Sequence, residues 1–249
     1  MSTYAEVGLN RTGIVTSPTL SDEMIEGTRQ FLPDSTGDER DISRVRESYA
    51  KVSEPLGSVP PPSGAVPILK AAAKGLQGLR PTQFLDKLGE RLAFERTGVR
   101  LYSALLSKYD AFGGFDGGPS RAKIEEIMLE EYGHVGLLTE AIRKLGGDPT
   151  VMTPSADLHA NLSKGILEVM VDARTTFAQC LEAILVAELA DNECWSTLSV
   201  LAEQQGDEEL SSAFVSAREA EAEHLSSVRL WLASAQKRPE PLEVPMSAL

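Results

Sequence analysis

Four stretches of this sequence repeat apolar residues at intervals of three and four, the spacing that lays one stripe along an α-helix. The first runs from about Thr82 to Tyr109 through Leu85, Leu88, Leu92, Val99, Tyr102, Leu106 and Tyr109. The second, about Ser120 to Leu145, carries Ile124, Ile127, Leu138, Ala141 and Leu145. The third, about Thr175 to Gln205, carries Leu181, Leu185, Trp195 and Leu198, and the fourth, about Asp207 to Ala235, carries Leu210, Phe214, Ala217, Val228 and Trp231. Glycine and proline punctuate them: GGFDGGPS parts the first two, Gly146-Gly147 ends the second, and Gly206-Asp207 parts the last two. A longer link with Pro149 and Pro154, room for one short helix, joins the second to the third. Short, long, short is the connection pattern of an all-α four-helix bundle with a single long crossover between its second and third helices.

Each stripe is broken near its middle, and the breaks are filled by the same residue types. Continuing the rhythm puts Glu95 at the missing position of the first stripe and Glu188 at that of the third. Glu131 with His134 fills the gap in the second, and Glu221 with His224 the gap in the fourth. Four carboxylates and two imidazoles therefore point into the bundle, where an uncompensated carboxylate is strongly disfavoured. The arrangement is doubled, since Glu95 to Glu188 spans 188 − 95 = 93 residues and His134 to His224 spans 224 − 134 = 90. Each half offers one lone glutamate helix and one Glu-x-x-His helix, whose i and i+3 side chains share a face and can grip one ion.

A lone histidine on an apolar stripe is more often a satisfied core residue, and a lone Glu-x-x-His carries little weight. Only three histidines occur, however, and two have glutamate three positions earlier. With glutamate at 25 of 249 positions, two chosen histidines would both show this about 1% of the time, and the matching lone glutamates make chance less likely still. The expected ligand set is Glu95, Glu131, His134, Glu188, Glu221 and His224. Four carboxylates balance two divalent cations, and carboxylate with imidazole suits iron or manganese. The third histidine, His159, falls in the crossover and reads as a surface residue.

Over about residues 82–235 these motifs resemble the ferritin-like superfamily of ferritins, bacterioferritins, rubrerythrins and manganese catalases, and most nearly a bacterial ferritin-like group. The resemblance implies that Glu95 and Glu188 are terminal ligands, that Glu131 and Glu221 bridge two metals, and that His134 and His224 cap one metal each. No C-x-x-C pair is present, so the electron-transfer module of rubrerythrins is not implied. The site and the resemblance together lead us to expect a dimetal redox enzyme acting on a small oxidant, hydrogen peroxide or dioxygen. Iron handling by a ferroxidase, or a scaffold with structural metals, are the alternatives. No catalytic residue beyond the ligands and no organic cofactor is expected. Tyr102 and Trp195 lie near the site as core packing or electron relays, and Asp191, one turn from Glu188, is either an orienting partner for a ligand histidine or a surface aspartate.

The remaining features bound the setting. Residues 1–80 hold Pro18, Pro33, Pro55, Pro60, Pro61, Pro62 and Pro67 and read as a broken arm, with short helices expected at Asp41–Val52 and Ile68–Leu76. Scattered apolar residues favour its docking, and it is the expected route to any homo-oligomer. Residues 237–249 form a tail, leaving 81–236 as the bundle. A net charge of 24 − 37 = −13 argues against nucleic acid and anionic membrane surfaces. Cys180 and Cys194 share one expected helix about 21 Å apart, too far to bridge. With no signal-peptide pattern or apolar run long enough to span a bilayer, a cytoplasmic protein is expected.

Overall fold

The computed structural model describes residues 17–31, 39–61, 64–65, 68–69, 72–73 and 81–237, and the helices defined over them are accompanied by no strand. These are α1 (Pro18–Gln30), α2 (Glu39–Val52), α3 (Pro81–Phe112), α4 (Arg121–Lys144), α5 (Pro154–Val171), α6 (Phe177–Gln204) and α7 (Glu208–Ala235). The protein is all-α. No described helix is long and apolar enough to cross a membrane.

The chain divides into two compact units, Met1–Glu54 and Pro55–Leu249. In the first, α2 covers the expected Asp41–Val52 helix, α1 is an addition, and no residue of α1 is buried. The second begins ahead of Pro81, and Val59 packs against its core. The expected Ile68–Leu76 helix and the tail beyond Lys237 fall largely outside the described residues.

The four long helices start and stop where local chemistry says they should. Ser120 caps α4 by accepting from the Lys123 amide at 3.1 Å, and Asp207 caps α7 by accepting from Leu210 at 3.2 Å. Thr176 and Gln179 form a reciprocal capping box at the start of α6. Gly113, Gly146 and Gly206 follow α3, α4 and α6 with φ of 75°, 80° and 69°, the left-handed conformation that turns the chain back. The crossover contains a full helix, α5, rather than a short one. It packs on α3 and α6, while α3 pairs with α4 and α6 pairs with α7.

The core is split in two along the helices. One apolar cluster gathers Phe84, Leu88 and Leu92 of α3 with Leu138 of α4, Trp195 and Leu198 of α6, and Phe214 of α7. The other gathers Leu101 and Leu105 of α3 with Ile124 and Ile127 of α4, Ile184 of α6, and Val228 of α7. Each such side chain contributes about 1.5–3 kcal/mol when fully buried. On every long helix the candidate ligands fall between the two clusters, so the fold holds a polar layer between apolar ones.

Candidate metal centre

All six sequence-predicted residues meet in that layer, and all are buried. Their donor atoms form two overlapping groups: Glu95, Glu131, His134 and Glu221 in one, and Glu131, Glu188, Glu221 and His224 in the other, each with donors within 4.8 Å of one another. Glu131 and Glu221 belong to both. His134 Nδ1 lies 2.8 Å from Glu221 Oε1 and 3.4 Å from Glu95 Oε2. His224 Nδ1 lies 3.1 Å from Glu221 Oε2 and 3.5 Å from Glu131 Oε1. Oε2 of Glu131 and of Glu188 is fully buried and accepts no hydrogen bond. Buried carboxylate oxygens without donors are rare in folded proteins and ask for a reason.

The surrounding residues hold this layer with a crossed symmetry. Tyr102, seven residues after Glu95 on α3, donates its hydroxyl to Glu188 of α6. Trp195, seven residues after Glu188 on α6, donates Nε1–H to Glu95 of α3 at 2.9 Å. Each lone-glutamate helix thereby orients the carboxylate of the other. Both aromatics are also packed in the core, as expected. On α4, Glu131 closes against α3 at Gly98, where any added Cβ would fall inside contact distance of the Glu131 carboxylate. Asn192 Nδ2 donates to the carbonyls of Glu188 at 3.0 Å and Glu221 at 2.9 Å, tying α6 to α7 at the level of the site.

Four placements differ from the sequence reading or add to it. Asp191 is buried and pairs with Arg91, whose Nη1 lies 2.6 Å from its Oδ1, so it orients no histidine and is no surface residue. Arg91 itself was not anticipated. Its guanidinium is 1% exposed, reaches Glu95 Oε1 at 3.2 Å through Nε, and stacks 4.2 Å from the centroid of Phe94. The signal available was an arginine one turn before Glu95, the i,i+4 spacing of an ion pair. Glu130, which periodicity places off the stripe, nonetheless reaches His224 Nε2 at 2.8 Å. That contact lets Nε2 carry the proton and leaves Nδ1 turned toward the carboxylates, the usual arrangement of a ligating imidazole and its carboxylate partner. His159 is half-buried rather than free at the surface: it sits on α5 with its side chain 18% exposed, 3.1 Å from the buried Glu90.

Protonation in the metal-free chain follows from this crowding. Burial, then the charges of Glu95 and Glu221, push the Glu131 carboxyl well above its ordinary range. Burial and the Glu221 charge raise Glu188 to about 8. Burial also works against the charge on Glu221, yet its hydrogen bonds to His134 and His224 prevail and hold it down at about 2. Burial opposes both imidazolium ions, but the carboxylates, Glu221 foremost, lift His134 and His224 to about 9. Burial and Glu188 hold the Tyr102 phenol well above 10, so it stays a donor. Comparison with protein-family models, with curated proteins and with solved structures gives no match to the chain.

Proposed function

We propose that residues 81–236 form a ferritin-like four-helix bundle whose polar layer holds two divalent ions, iron or manganese, and that the protein is a redox enzyme reacting with hydrogen peroxide or dioxygen. The observation that carries this reading is the pair of donor groups sharing Glu131 and Glu221, with buried carboxylate oxygens that no donor satisfies. Glu95 and His134 would hold one ion, Glu188 and His224 the other, and Glu131 and Glu221 would serve both. The charges fit: Arg91 offsets Asp191, leaving four glutamates for two dications. Such an ion pair supplies two-electron chemistry toward a small oxidant. The chain's own residues would do the rest. Tyr102 and Trp195 fix the outer carboxylates, Glu130 fixes the His224 ring, and the apolar layers above and below keep bulk water from the site.

The test is elemental analysis of protein isolated under metal-replete conditions, followed by peroxide consumption and oxygen uptake. Two iron or manganese ions per chain with turnover are expected. One ion or none counts against the site as drawn. Two tightly held ions without turnover favour the scaffold alternative, and iron uptake far beyond two per chain favours storage.

A further inference from the structure

A second cluster of unlike donors lies beside Arg91. Glu90 of α3, His159 of α5 and Cys194 of α6 bring a carboxylate, an imidazole and a thiol within 4.8 Å of one another. They line a cavity of about 210 Å³ together with Lys87, Arg91, Thr197 and Leu198. We propose that Glu90, His159 and Cys194 form a separate site for a single zinc-type divalent ion, with the cavity supplying water as its fourth ligand.

The spacing is the first argument. A tetrahedral zinc with bonds of about 2.0 Å to oxygen and nitrogen and about 2.3 Å to sulfur sets its ligand atoms about 3.3 Å (N···O) and about 3.5 Å (S···O) apart. His159 Nε2 lies 3.1 Å from Glu90 Oε1, and Cys194 Sγ lies 3.6 Å from the same oxygen. Small adjustments place an ion among them. Charge is the second argument. A thiolate and a carboxylate with a neutral imidazole balance one dication. Arg91, the nearest fixed cation, is already matched by Asp191 and Glu95. Lys87 now neutralises Glu90, but its side chain is 30% exposed and can swing into solvent when a dication takes its place. Softness is the third: thiolate with imidazole and carboxylate selects zinc over the iron or manganese of an all-oxygen-and-nitrogen site. An ion here would staple the crossover helix α5 to α3 and α6.

Cobalt titration of the full chain reads this site alone, because the polar layer contains no sulfur and Cys180 is fully buried in the apolar core. A near-ultraviolet thiolate-to-cobalt charge-transfer band should saturate at one ion per chain. It should vanish in Cys194→Ser, and His159→Ala should weaken cobalt binding at least about tenfold. It should survive in Glu131→Ala, which separates failure here from failure of the dimetal reading. In the unaltered protein, zinc should slow alkylation of Cys194 by about tenfold or more. No band in the parent, a band that persists in Cys194→Ser, or alkylation indifferent to zinc would each overturn the proposal, and the last needs no variant to fold.

Discussion

Glu130 and Glu131 are neighbours in sequence with different surroundings. Glu131 is buried, closes on Gly98 and belongs to both donor groups, whereas Glu130 is half exposed and reaches the site through His224. Glu131→Ala or His224→Ala should abolish binding of at least one ion in a metal titration while circular dichroism shows the helices intact. Glu130→Ala should weaken binding about 10–100-fold, the usual cost of removing the carboxylate behind a ligating histidine. Glu223→Ala, exposed and unpaired with the site, should change neither quantity measurably. Gly98→Ala gives a sharper test of geometry, since its new methyl meets only the flexible end of Glu131. The fold should survive, and metal affinity should fall as in Glu131→Ala; wild-type affinity in that variant would mean that the carboxylate does not need this seat. The six inward residues were legible because a polar side chain at a buried phase of a 3.6-residue repeat stands out. The Arg91–Asp191, Glu130–His224 and Asn192–Glu221 contacts were not, because each crosses to another helix, and one chain's periodicity says nothing about what a long side chain reaches.

Helix existence was legible for the same periodic reason, and helix ends for the caps and glycines. The crossover helix was legible only as room for a short one, not as the 18-residue helix it is. Its buried positions, Ala156, Ser163 and Met170, recur every seventh residue but are small or weakly apolar, while Leu158, Leu162 and Val171 face outward. With Ile166 and Leu167 packed on the core beside Met170, its apolar residues fall on both faces and mark no single stripe. The breadth of α3 was also hidden: it touches α4, α5 and α6, so Phe94, Leu101 and Leu105 are buried outside the single expected stripe. What holds α5 is partly polar. Lys108 of α3 is buried and donates to the carbonyls of Asp172 at 2.5 Å and Thr175 at 2.9 Å, at the end of α5 and the turn into α6. A cation at a helix C-terminus is favourably placed, and hydrogen bonds from charged donors contribute about 1.5–3 kcal/mol. Lys108→Met should therefore destabilise the protein by about 2 kcal/mol in urea unfolding, with no loss of metal binding, because the contact lies in the crossover and not in the polar layer. A loss below about 0.5 kcal/mol would mean that the turn is held by Thr175 and its neighbours without the lysine.

At the scale of the molecule, protons and metal ions compete for one concentration of negative charge. In the metal-free chain His134 and His224 keep their protons to about 9 and Glu188 to about 8. An unfolded histidine releases its proton near 6.5 and an unfolded glutamate near 4.5, so over these windows the folded state binds more protons. Stability must then fall as pH rises, beginning above about 4.5 for Glu188 and above about 6.5 for the two histidines. Glu221 acts in the opposite sense: held at about 2, it favours the folded state above about 4.5, and that contribution is lost as pH falls toward 2. The metal-free protein should therefore melt highest near pH 4.5, lose stability above it as Glu188 and Glu131 hold their protons, and lose it more steeply from about pH 6.5 toward 9. Ions that bind the polar layer displace those protons, so their affinity rises over the same range. At a free concentration 100 times its dissociation constant, one bound ion adds about 2.7 kcal/mol to the folded state. Melting curves with and without iron or manganese from pH 5 to 9 should accordingly diverge, the gap widening as pH rises, because the metal-free form weakens where the loaded form does not. Two parallel curves, or curves that coincide, would mean that the carboxylates and imidazoles of this layer do not share their charge with metal.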